Sequence, residues 1–163
     1  MNTLNAAVRE YTAQLHNGQI QKAYKAILDF MANLRANLSA NYPDHAVSAL
    51  YFGYMDMSYF AFTPPALKAR NLKIAIVYLH QEGRFELWLA GNNRKIQTSY
   101  IELLSHRNIG GYTLSKANPG VDFIIASPIA QEPDFDRREE LKRRIEERSR
   151  EFEKDLISIL GEE

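Results

Sequence analysis

Apolar positions along this chain change period several times, and each change marks an element. Leu4, Ala7, Val8, Tyr11 and Leu15 recur at spacings of three and four, which is the spacing of one helix face. His16-Asn17-Gly18 follows as a C-cap, with a glycine available for a left-handed residue. The same spacing resumes at Ile20 and continues through Ala23, Tyr24, Ile27, Phe30, Met31, Leu34 and Leu38, predicting a second helix of about five to six turns. It stops before Pro43, because the residue preceding a proline is pushed out of the α region.

From Leu50 to Thr63 the pattern shortens. This run concentrates aromatic and thioether side chains, which suit a pleated, half-buried surface, and large apolar groups fall on both alternating faces, so both are expected to be covered. One unbroken strand would exceed the usual upper length of about ten residues. A bulge or sharp bend is therefore expected near Gly53 or Asp56, and Pro64-Pro65 ends the run. Leu72 to His80 and Phe85 to Leu89 flank Gln81-Glu82-Gly83 and predict a hairpin. On its second strand Phe85, Leu87 and Leu89 point one way, while Arg84, Glu86, Trp88 and Ala90 point the other.

After Gly91-Asn92-Asn93 the period returns to 3.6, predicting a helix from Arg94 to about Ser105 that buries Ile96, Tyr100, Leu103 and Leu104. Residues 107–120 read as loop, with a turn at Asn118-Pro119-Gly120 and a short edge strand at 112–114. Val121 to Ala126 reads as a buried strand. The last element is a long helix, with Asp136 as N-cap and Glu139 completing a capping box. Glu139 with Arg143, Glu140 with Arg144 and Glu146 with Arg150 are placed to pair at i,i+4. Apolar residues are sparse in its first half, so residues 136–160 are expected to form, in part, a charged and exposed extension. The expected fold is α+β, a single domain over 1–163. A central mixed, mainly antiparallel sheet of four or five strands carries two N-terminal helices, one inserted helix and the C-terminal helix.

Composition narrows the function classes. Twenty basic residues balance twenty acidic ones, so no global field steers the protein to nucleic acid, and a net charge near zero favours self-association into a homodimer. Cysteine is absent, which fits a reducing cytoplasm. No leader pattern and no membrane-length apolar run is present, so no membrane partner is expected. The four histidines show no metal-ligand spacing; no metal and no cofactor is expected.

The runs LYFGYMDMSYFAFTP (50–64), KIAIVYLH (73–80) and RFELWLAGNN (84–93), with Pro133-Asp134-Phe135-Asp136, together resemble a family of small, uncharacterised bacterial proteins. That resemblance covers most of the chain. It implies a bacterial cytoplasmic protein and brings no catalytic residue with it.

Three readings follow. The first is a non-catalytic binding or interaction protein that self-associates. The second is a protein that binds a small anionic ligand at Asn92, Asn93, Arg94 and Lys95, with Tyr54 and Trp88 as walls. Basic residues in the first turn of a helix oppose its dipole, and a bound anion would relieve them. The third is a degenerate metal-dependent nuclease, because the element order matches the restriction-endonuclease-like core, with Asp56 and Glu86 as ligands. Trp88 stands where that motif requires a lysine, and tryptophan can neither orient a water through an ammonium nor stabilise developing charge. The plain alternatives are Glu86 paired with Arg84 or Lys73, and Asp56 in an exposed turn.

Overall fold

In the computed structural model, which describes residues 3–116 and 120–161, the two N-terminal helices span Leu4–Leu15 (α1) and Gln19–Asn41 (α2). Thr3 caps α1 by accepting from the Ala6 amide at 3.1 Å. Gly18, with φ of 78°, reverses the chain between the helices. Helix α2 buries Leu28, Phe30, Met31, Leu34 and Leu38, all from its middle and C-terminal turns. No residue of α1 is buried.

The sheet has six strands: β1 (Ala46–Val47), β2 (Met57–Thr63), β3 (Leu72–Leu79), β4 (Arg84–Gly91), β5 (Thr113–Leu114) and β6 (Ile125–Ala130). Their order is β1-β2-β3-β4-β6-β5, and every ladder is antiparallel. The expected α+β architecture is present; the expected mixed sheet of four or five strands is not. The unforeseen strand is β1, a two-residue edge too short to leave a periodic signature, while β5 falls within the short edge strand expected at 112–114. No parallel ladder forms: β4 and β5 run the same way, but β6 lies between them.

The aromatic run 50–63 is not one strand. It doubles back on itself through Gly53 and Met55, both at positive φ, and Tyr51 bonds Tyr59 in both directions, at 2.8 and 3.0 Å. The bend falls in the expected place. Only Met57–Thr63 continues the sheet, and its faces are unequal: Ser58, Phe60 and Phe62 are buried, while Met57, Tyr59 and Ala61 are half-buried. Expected coverage of both faces over the whole run fails because Tyr51, Phe52, Tyr54 and Met55 lie in the exposed bend.

Phe60, Phe62, Ile74, Ile76, Phe85, Leu87 and Leu89 form the inner face of the sheet. Each such side chain removed from water contributes about 1.5–3 kcal/mol. The short helix α3 (Pro65–Lys68), α4 (Arg94–Ser105) and α5 (Arg138–Leu160) complete the element set. α4 has the expected bounds, but its fully buried residues are Ile101 and Leu104, with Ile96, Tyr100 and Leu103 only half-covered. Leu141, Ile145, Ser149, Phe152, Leu156 and Leu160 form a narrow buried stripe along α5.

Other local expectations shift. β6 lies at 125–130 rather than 121–126 and continues through Pro128, beyond the two residues that pair with β5; an open edge tolerates a proline. Helix α5 is capped at Arg137 without a side-chain bond; Asp136 lies in the turn before it, its amide donating to Asp134 Oδ1 at 3.0 Å. The three expected i,i+4 pairs give way to others, among them Arg143–Glu147 at 2.7 Å and Arg150–Glu153 at 2.9 Å. Most of the turn at Asn118-Pro119-Gly120 lies outside the described residues.

Candidate functional site

Strand alternation sets a second row of side chains on the outer face of the sheet. Ala61, Ala75, Trp88 and Ala126 lie side by side across four strands, and Lys73 pairs with Ala90 one step further along. Tyr59, Val77 and Glu86 form the step on the other side. Alanine ends at Cβ, so the outer face is hollow on both sides of the Trp88 indole. The ring is held by a hydrogen bond from its Nε1 to Glu86 Oε1 at 2.9 Å and by Phe123, whose ring centre is 5.0 Å away.

α4 closes one end of this hollow. Asn93 caps it, accepting from the Ile96 amide at 2.9 Å, which satisfies one of the orphan donors at a helix start. Gly91 allows the close crossing: a Cβ there would stand 2.6 Å from the Gln97 amide nitrogen. Gln97 then donates from Nε2 to the Val121 carbonyl at 2.8 Å, fixing the segment that precedes β6. The result is a cleft of about 310 Å³, at the lower end of the range for small-molecule sites. Lys73, Arg94 and Asp122 bring charge to it, and Met57, Tyr59 and Trp88 line its other end. Among the described residues neither Lys73 nor Arg94 forms an ion pair.

Of the residues singled out from sequence, the cleft unites Asn93, Arg94 and Trp88. Asn92 and Lys95 are exposed beside it and do not line it. Tyr54 is 90% exposed in the bend of the aromatic run and forms no wall. Asp56 stands in the same bend, where its carboxylate accepts from the Tyr54 amide at 2.9 Å. That bond, with further backbone donors at Met57 and Asp56 itself, holds its pKa below the ordinary value. Glu86 is buried, and its oxygens are taken by Trp88 and by Arg84 Nε at 2.7 Å.

Asp56 and Glu86 are not brought together. Glu86 faces Val77, which faces Tyr59, and Asp56 precedes Tyr59 by three residues. Strand spacing and rise put them about 14 Å apart, far beyond the reach of one ion. Both residues therefore match their plain readings, an ion pair and a turn.

Sequence reading missed Lys73, Gln97, Tyr59 and Asp122 as site residues. The available signal was a lone lysine at the start of an apolar strand and a single alanine in each strand, Ala75 in β3 and Ala90 in β4, among mostly larger residues. Two polar clusters lie elsewhere. His45 Nε2 meets Glu153 Oε1 at 2.7 Å, both nearly inaccessible, with His45 stacked on Phe62 and Arg150 over the Tyr42 ring. Ser58, fully buried, donates to the Phe52 carbonyl at 2.5 Å and lies 2.8 Å from His80 Nε2. Its hydroxyl proton is thereby committed to a carbonyl, so His80 acts as donor to Oγ and the pair tethers the aromatic bend.

Among the described residues no helix is long and apolar enough to cross a membrane. The family profile for a domain of unknown function, DUF7000, matches residues 4–160. No curated protein and no solved structure matches the chain. With the match covering nearly the full sequence, the chain belongs to the DUF7000 family, a domain of unknown function.

Proposed function

We propose that this is a non-catalytic binding protein that holds a small anionic molecule in the cleft between the outer face of the sheet and α4. The observation that carries the reading is the convergence of Lys73 and Arg94, two cations from different elements, on a cleft walled by Trp88 and Tyr59. A cation that pairs with no carboxylate among the described residues is available to a ligand anion, and a guanidinium suits a carboxylate or phosphate in particular. In this reading the chain is one α+β unit and works in the cytoplasm.

A thermal-shift panel of carboxylated and phosphorylated metabolites tests the reading, because a ligand that binds only the folded state raises the melting temperature by mass action. At least one anion is expected to stabilise the wild type and to lose its effect in Arg94→Glu. A panel in which no anion stabilises the wild type refutes the proposal.

A second reading, self-association, has its own observation. The apolar face of α1 buries nothing, leaving Leu4 80%, Val8 51% and Tyr11 58% exposed. An amphipathic helix normally turns that face inward. Light scattering at high concentration is expected to give a dimer that Val8→Glu dissociates; a monomer at all concentrations refutes it.

A further inference from the structure

The two ends of the cleft differ in chemistry. Lys73, Arg94, Gln97 and Asp122 cluster at the end closed by α4, whereas Ala75, Trp88 and then Tyr59 and Met57 line the other. Along β3 the step from Lys73 to Val77, which faces Tyr59, covers four residues, or about 13 Å. The floor is short side chains: Ala75 lines the cleft between the two ends, and Ala90 lines it opposite Lys73. Such a trough offers an apolar body a surface to cover and offers its head group a charge.

The balance of that charge limits the head group. Two cations and one carboxylate, Asp122, leave a net of one positive charge at the polar end. A doubly ionised phosphate would bring more negative charge than this end balances, while a carboxylate matches it. We propose that the ligand is an amphipathic monoanion, a carboxylate set against Lys73 and Arg94 whose flat or extended apolar body lies over Ala75 between Trp88 and Tyr59. This rests on the anion-binding reading above and adds to it the ligand's shape and polarity.

Trp88 is the protein's one tryptophan, so its emission reports occupancy of the apolar end without a label. The experiment titrates wild type with propionate, 3-phenylpropionate, 3-phenylpropan-1-ol and inorganic phosphate, following Trp88 emission and melting temperature. The expected result is that 3-phenylpropionate shifts the emission and binds at least tenfold more tightly than propionate, the alcohol or phosphate. Lys73→Gln is expected to lower that affinity severalfold. Ala75→Leu, which fills the floor, is expected to bring 3-phenylpropionate down to the affinity of propionate. Should Ala75→Leu not fold, Tyr59→Ala supplies the same comparison from the wall.

Equal binding of propionate and 3-phenylpropionate, or tighter binding of phosphate, overturns the amphipathic proposal and leaves the anion-binding reading standing. Equal binding of the alcohol and the acid overturns the proposal by showing that the head group is not recognised. No response to any of the four overturns the proposal, while the wider metabolite panel still decides the anion-binding reading.

Discussion

Replacing Gly91 by alanine tests how the cleft is built. Gly91 ends β4 where the backbone of α4 crosses, and its φ is not positive, so alanine suffers no backbone strain there. The added Cβ would sit 2.6 Å from the Gln97 nitrogen and 3.0 Å from its Cα, where ordinary contact begins at 3.4 Å. Moving from 2.6 to 3.4 Å requires α4 to retreat by about 0.8 Å. The helix has little freedom to do so, since Asn93 caps it, Gln97 ties it to Val121, and Ile101 and Leu104 anchor it in the core.

Overpacking of this kind costs about 1–3 kcal/mol, offset by about 0.5–1 kcal/mol from removing a glycine in a strand. The net loss is up to about 2.5 kcal/mol, which lowers the melting temperature of a chain this long by up to about 10 °C. Gly111→Ala is the control: it also has no positive φ, and nothing lies within 4 Å of its added Cβ. That variant should be neutral or gain up to about 1 kcal/mol. Urea denaturation of both, followed by Trp88 emission and far-UV circular dichroism, gives the comparison. If Gly91→Ala is as stable as Gly111→Ala, α4 does not cross β4 at this distance and the proposed closure of the cleft is wrong.

Glu86→Ala leaves the Trp88 Nε1 donor without its acceptor and Arg84 without its pair; the expected cost is about 1–3 kcal/mol, read by urea denaturation, together with a change in Trp88 emission. Ser58→Ala removes the tether between His80 and the Phe52 carbonyl, with a similar expected cost and faster proteolytic cleavage in the bend 51–56; unchanged cleavage would show that the bend is held by other contacts. Burial raises the Glu153 pKa above its ordinary 4.5, with His45 and Arg150 pulling it back only in part. The folded state therefore prefers the protonated acid, and stability is lost as pH rises from about 4.5 through the raised value. Glu153→Gln abolishes that component, so melting curves recorded across this window should show wild type falling relative to the variant; parallel curves would refute the assignment.

Much of the fold is legible in the chain, because local pattern carries it. Periods of three and four place α1, α2 and α4 to within a residue or two, since only one helix face can be apolar and still leave the rest in water. Alternation along 84–90 states which side chains face inward, and Phe85, Leu87 and Leu89 are indeed fully buried. The candidate site was only half legible. Asn93, Arg94 and Trp88 carry visible signals, a cap, a misplaced charge and a lone indole. Lys73 and Asp122 become neighbours of that set through pairing partners many residues away.

What the sequence determined by itself is what depends on nearest neighbours along the chain: where the longer helices run, where Gly53 lets the aromatic run bend, and which face of β4 is apolar. Tertiary structure alone decided the rest. Strand order put β6 between β4 and β5 and made every ladder antiparallel, and the crossing of α4 over Gly91 turned an alanine-lined sheet face into a cleft. Burial also chose between the readings of Glu86. A carboxylate in water and one enclosed by an indole and a guanidinium are the same letter in the sequence, and only packing sets the dielectric and the partners that distinguish them.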